Sequence, residues 1–423
     1  MQAPPPVAPS PSPAAPLDAS GPRHQPELDG IRGIALLAVM FSHAGPYIQT
    51  GTLAGKLLHY AMVPGWSGVE LFFVLSGFLI TGILLRTKTA DNYFTSFYLR
   101  RFLRIFPIYY FVVTLGLLIA PHNSWWNSML PPLEKTRIAY YFYLQNWPVF
   151  WDHANFMPLS VFGHFWSLAV EEQFYLVWPL VVWFLPETAI LWLCGAGLVL
   201  ALPLRIYMVH LYAGDFTAMA LTTSRMDGLL VGAMLAVFLR RGQVALRWIY
   251  AMLAVGLGLL GYIAVFHHRE LVDTYFYMPT IGVTGFALAM GAFLALSQHP
   301  IPWLHRALTL GWLRTTGKYS YGMYIYHVPI YLAAAHAMAR YAGVSLPIPL
   351  HFALPYIAAL IATTFLVAKL SYDHFESRIL ALKKHCKPRY GARQTAVEGG
   401  LVLSHVYATA DTSPETGNKP PTD

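Results

Sequence analysis

The sequence predicts an all-α, polytopic membrane bundle of about ten transmembrane helices with both termini in the cytoplasm. Three observations carry this. Of 423 residues, 56% are hydrophobic and only 11% charged, where a soluble domain carries about 25% charged residues. Apolar runs of near twenty residues recur along the chain, the length that crosses a hydrocarbon core. Basic residues gather on alternate connecting segments, as the positive-inside rule requires. Length alone would admit two or three soluble domains, but the apolar runs make one continuous bundle.

Taken in order, residues 1–27 are rich in Pro, Ala and Ser, lack an apolar periodic face and read as a disordered tail. They make a poor signal peptide, because the basic region is weak and the first apolar run begins too late. Spans are predicted at 31–48, 66–85, 102–120, 165–185, 189–209, 226–239, 248–266, 275–296, 319–338 and 350–370. The sixth is short, and a start near Thr222 would lengthen it. Basic residues cluster at 86–104, 240–247, 306–318 and 378–389, whereas the intervening segments hold few. That bias and an even helix number place both termini inside. The longest outer segment, 121–164, carries several Trp and Tyr. Such rings favour the interface, and the same loop is long enough to cover a substrate. The transmembrane domain is therefore expected at 28–376, and residues 377–423 form a basic, then polar, largely disordered tail.

The formal charge of +8 is explained by this membrane orientation, and no nucleic-acid motif accompanies it. Cys194 and Cys386 show neither metal nor redox spacing and read as ordinary thiols. No P-loop, HExxH or nucleophile elbow appears, and no metal is expected.

Polar side chains inside spans are informative because a mid-membrane charge costs about 2.5–3.5 kcal/mol. Arg32 and His43 share the first span; eleven steps of about 1.5 Å separate them by about 16 Å. Arg32 lies toward the cytoplasm and His43 past the midplane, where a histidine serves as a general base or as a neutral core residue bonded to a neighbouring helix. Glu171 and Glu172 fall about two turns into the fourth span. Neighbours about 100° apart should not face one groove; one of them orients His43 or stabilises its protonated form, or both are structural. Glu70 opens the second span and reads as a helix N-terminal carboxylate. Ser76-Gly77 follows, as a nucleophile or, better, as a packing site.

Arg100, Arg101 and Arg104 precede the third span, with Arg101 and Arg104 on one helical face. Guanidinium groups grip phosphate bidentately, as the nucleotide of coenzyme A would require; an ordinary positive-inside cluster is the plainer reading. Asp227 is expected to pair internally with Arg225. His327, placed about 12 Å from the inner end of the ninth span, shapes an acyl-donor tunnel or bonds across helices.

The ordered motifs resemble the acyltransferase-3 family of membrane O-acyltransferases, of the bacterial surface-carbohydrate O-acetyltransferase type. They are Leu28-Asp29-Gly30-Ile31-Arg32-Gly33-Ile34-Ala35 with His43, the 68–78 segment around Glu70 and Ser76, and Arg100-Arg101-Phe102-Leu103-Arg104. Trp166-Ser167-Leu168-Ala169-Val170-Glu171-Glu172-Gln173-Phe174-Tyr175, Arg225-Met226-Asp227-Gly228 and the 319–327 segment complete the set. The resemblance implies that Arg32 and His43 are an essential pair, His43 being the catalytic base or a transient acyl carrier. It implies that Arg101 and Arg104 meet the acyl donor and that Glu171 belongs to the catalytic set. The donor is expected to be acyl-CoA, acetyl-CoA above all, entering from the cytoplasm of a bacterial inner membrane. The acceptor is expected to be a carbohydrate or glycoside. Some relatives carry a further esterase-like domain that this sequence lacks, so transfer is direct or uses a separate partner. A transporter or flippase for lipid-linked sugars would also explain ten helices and buried charges, but not the arginine pair with a first-span histidine. An inactive assembly partner for a polysaccharide synthase is the third reading.

Overall fold

The computed structural model describes residues 25–130, 134–147, 160–212, 217–242, 244–267 and 276–390. The expected N-terminal tail lies almost wholly outside these residues, as does the C-terminal tail from 391 onward. Residues 26–388 form one compact unit. Its long helices are α1 (Pro26–Ala44), α2 (Leu53–Met62), α3 (Gly68–Thr87), α4 (Tyr93–Ile119), α5 (Trp166–Phe184) and α6 (Glu187–Leu211). They continue with α7 (Asp227–Arg241), α8 (Leu246–Phe266), α9 (Val283–Ser297), α10 (Gly311–Ala342) and α11 (Leu350–Ser371). An isolated parallel bridge joins Ile48 to Ile348.

Six helical stretches among the described residues are long and apolar enough to cross a bilayer: Leu53–Thr87, Tyr93–His122, Glu187–Leu211, Leu246–Phe266, Met278–Ser297 and Leu350–His385. The chain is a multi-pass membrane protein. The other four expected spans are also helices, α1, α5, α7 and α10, but each falls short for a visible reason. Helix α7 has 15 residues. Helix α5 holds Glu171, Glu172 and Gln173, α1 holds Glu27, Asp29, Arg32 and His43, and α10 holds Arg314, Lys318 and His327.

Close backbone approach brings the polar helices together. A Cβ on Gly317 of α10 would sit 1.8 Å from the Asp29 carbonyl oxygen of α1. One on Gly77 of α3 would sit 2.0 Å from the Leu229 carbonyl oxygen of α7. Glycine at these positions lets two helices touch without a side chain between them. Asp29 lies against Gly317, and His43 against His327 further along both chains, so α1 and α10 run in the same sense.

Buried charge pins the other side of the bundle. Arg205 of α6 is fully buried; it donates to Asp227 Oδ1 at 2.6 Å and Oδ2 at 3.1 Å, and to the Ser224 carbonyl at 3.0 Å. Thr284 of α9 donates to Asp227 Oδ2 at 2.7 Å. Asp227 is therefore paired with Arg205, not with its sequence neighbour Arg225. Arg225 instead approaches Glu70 Oε1 at 2.8 Å, with both side chains buried, between the rings of Trp66 and Trp166 at 5.6 and 5.2 Å. Glu70 does sit in the first turn of α3, but its partner is this guanidinium as well as the helix end. The pairing could not be read from the chain, because the partners of Arg225 and Asp227, Glu70 and Arg205, come from distant segments and meet them only in the packed bundle.

Candidate active site

Helix α4 begins at Tyr93, nine positions before the span expected from apolarity, so Arg100, Arg101 and Arg104 lie inside it rather than ahead of it. Three residues apart, Arg101 and Arg104 share a face. Both line a cavity of about 110 Å³, while Arg100 is exposed. Arg32 of α1 lines the same cavity and is held by Asp29 Oδ1 at 2.8 Å, one turn earlier. The Arg101 guanidinium lies 5.9 Å from the Tyr175 ring centre and 5.9 Å from that of Phe97.

Opposite the arginines stands α5. Glu171 accepts from Ser76 Oγ at 2.8 Å and from the Tyr175 hydroxyl at 3.0 Å. Ser76 thus faces the cavity and holds a carboxylate, and Gly77 alone makes the close packing contact. Glu172 also lines the cavity, contrary to the expectation that adjacent glutamates face apart; the cavity wraps the arc between them. Glu172 borders a second, largely apolar cavity of about 450 Å³ together with Arg101 and Tyr175. Its Oε1 is buried and has no hydrogen-bond partner among the described residues.

His43 does not line this cavity, and neither glutamate orients it. Its ring centre lies 5.0 Å from that of His327 and 6.5 Å from that of His164; His164 and His327 are 4.7 Å apart. His327 was expected in the inner half of its span. It packs beside His43, which was expected past the midplane, and α10 starts at Gly311, which puts about 24 Å of helix, at 1.5 Å per residue, ahead of it. The wall between cavity and histidines is short. Tyr324 and Ser167 line the cavity, and both hydroxyls donate to the His164 carbonyl, at 3.0 and 3.1 Å.

Arg32, Arg101, Arg104, Ser76, Glu171 and Glu172 are therefore brought together around one cavity, with His43 and His327 in an adjoining cluster. Glu70 and Asp227 stand apart in ion pairs. Three participants escaped the sequence reading: His164, Tyr175 and Tyr324. His164 sits next to the Trp166–Glu171 motif, a position that could have marked it, but its proximity to two other histidines is a product of packing. Three guanidinium groups at one cavity wall suit a phosphorylated donor. No group of three or more His, Cys, Asp and Glu among the described residues is set to hold a metal ion.

Over 383 residues the chain is 28% identical to the O-acetyltransferase OatA of Staphylococcus aureus (strain NCTC 8325 / PS 47), covering 85% of this chain and 57% of that protein. It is 29% identical over 383 residues to the peptidoglycan O-acetyltransferase OatA of Listeria monocytogenes serovar 1/2a, covering 84% and 56%. The chain thus spans little more than half the length of these relatives. No solved structure matches it. Residues 25–371 match the acyltransferase domain of the acyltransferase-3 family, and the protein belongs to that family.

Proposed function

We propose that the protein moves an acyl group, acetyl in the first instance, from cytoplasmic acyl-CoA to a hydroxyl of an envelope or exported carbohydrate. In this reading all ten spans cross a bacterial inner membrane, with both termini inside. The observation that supports it is the shared cavity. Arg101 and Arg104 from α4, Arg32 from α1 and Glu171 from α5 are remote in sequence yet line one space. The arginines bind the donor's phosphates, and the thioester lies toward the wall formed by Ser167 and Tyr324.

His43 acts as the base. Its Nδ1 lies 2.9 Å from the Val39 carbonyl. A carbonyl only accepts, so Nδ1 carries the proton and Nε2 keeps a lone pair. Nε2 takes the proton of the acceptor hydroxyl as the oxygen attacks the thioester carbonyl. The C–S bond breaks, an ester forms, and the coenzyme A thiolate leaves to be protonated. Glu171, held by Ser76 and Tyr175, orients the reacting groups. The relatives' names make peptidoglycan the first acceptor to try, and a separate partner that completes transfer remains compatible with this scheme.

Vesicles of both orientations, supplied with labelled acetyl-CoA, test the reading. Label should enter envelope carbohydrate only when donor reaches the cytoplasmic face. His43→Ala should lower that incorporation about 10²–10⁴-fold, the range for loss of a general base. Equal incorporation by wild type and His43→Ala, at equal insertion, would remove His43 from the chemistry.

A further inference from the structure

His164 has no part in the scheme above, yet it is buried against the base. The hydrogen bonds around the three histidines decide where their protons are. His327 Nδ1 lies 2.8 Å from the Tyr324 carbonyl, and His164 Nε2 lies 3.0 Å from the same oxygen. His43 Nδ1 is on Val39 O. Each ring therefore spends its single N–H on a backbone carbonyl and is left with one lone pair.

The remaining nitrogens are His43 Nε2, His164 Nδ1 and His327 Nε2. The latter two are buried without a hydrogen-bond partner among the described residues. No ring–ring hydrogen bond is found in the cluster, as three neutral rings with committed N–H groups require: none has a proton to give. The other titratable groups touching the cluster are Tyr324 and Tyr331 of α10. Among the described residues no carboxylate is hydrogen-bonded or ion-paired to any of the three rings.

A base in this place has a problem. Once His43, which is half-buried, takes a proton it becomes a cation with no carboxylate beside it, which is costly. The lone pair of His327, whose ring centre is 5.0 Å away, stands within reach, whereas His164 lies 6.5 Å from His43 but only 4.7 Å from His327. We infer that His327 and His164 are positioning residues for His43: His327 accepts a hydrogen bond from its newly protonated Nε2 and shares the proton, and His164, which adjoins His327, supports the charge there until the leaving thiolate or solvent collects the proton. No bond between heavy atoms forms or breaks in this step; one proton is shared between His43 and His327. The inference rests on His43 being the base.

Sharing stabilises protonated His43 and so raises its basicity. A base works when unprotonated, so loss of a sharing partner should move the acid limb of the rate profile to lower pH and weaken the base. The experiment uses full-length protein in proteoliposomes, with acetyl-CoA and a peptidoglycan oligosaccharide as probes. His327→Leu and His164→Leu remove a lone pair. His327→Gln and His164→Asn keep an acceptor oxygen near the lost Nε2 or Nδ1. The leucine variants should shift the acid limb down by about one pH unit and lower the neutral-pH rate about tenfold, falling in kcat rather than KM. The amide variants should recover much of both. An unmoved acid limb in folded leucine variants overturns the inference, as does an equal loss in leucine and amide variants. If a leucine variant fails to fold, its amide counterpart decides, since a folded, inactive amide variant also counts against it. Full activity in His43→Ala would instead strike the base itself.

Discussion

Helices α8 and α10 are both long enough to cross a bilayer, and they treat their side chains in opposite ways. Only 17% of the most apolar stretch of α8 is buried, and Trp248, Val265 and Phe266 face outward. Helix α10 hides Thr316, Ser320, Tyr324 and His327, the side chains that make it less apolar. In water the polar face of a helix turns out. Here lipid takes the apolar helices and the polar ones collect where they can satisfy each other. Helices α1, α5 and α10, which look less like membrane spans, contribute Arg32, Glu171, Glu172 and Tyr324 to the cavity, alongside residues of α3 and α4.

That contrast can be broken at several points, and the largest effect is expected in the buried charges. Arg205→Ala leaves Asp227 buried and unpaired, which should cost about 3–5 kcal/mol, read as a fall in the thermal unfolding midpoint in detergent. A loss below about 1 kcal/mol would mean that these charges are tolerated rather than structural. Next come two glycines with opposite surroundings. Gly317→Ala drives a methyl into α1 and should destabilise by about 1–3 kcal/mol. Gly258→Ala on α8, with no atom within 4 Å of its added Cβ, should be neutral or gain about 0.5–1 kcal/mol from helix propensity. Equal losses at both sites would erase the distinction between inner and outer helices.

A smaller effect belongs to the cavity. Ser76→Ala removes one donor from Glu171 and should cost about 1 kcal/mol, with a several-fold drop in acyl transfer; unchanged transfer would detach Glu171 from the reaction. The smallest belongs to the lipid face. Leu200→Ala on α6, 65% exposed, should change stability by no more than about 0.5 kcal/mol.

Much of the site was legible in the chain. Arg32 and Glu171 stood out because charge is rare in apolar runs, Arg101 and Arg104 through their spacing and the family resemblance, and each lines the cavity. Partners were not legible. Asp227 was matched to nearby Arg225, whereas the structure gives it Arg205 from another helix. His43 was matched to a glutamate, whereas its neighbours are two more histidines.

What the sequence determined by itself is the class of molecule and the inventory of its chemistry: helices, since lipid leaves backbone groups no other partner, and a handful of ionisable residues too costly to bury without purpose. Which of them meet was decided by tertiary structure alone. Helical periodicity sets the face on which a side chain lies, but its partner depends on which helices touch, and here that is governed by glycine contacts between segments as far apart as Asp29 and Gly317.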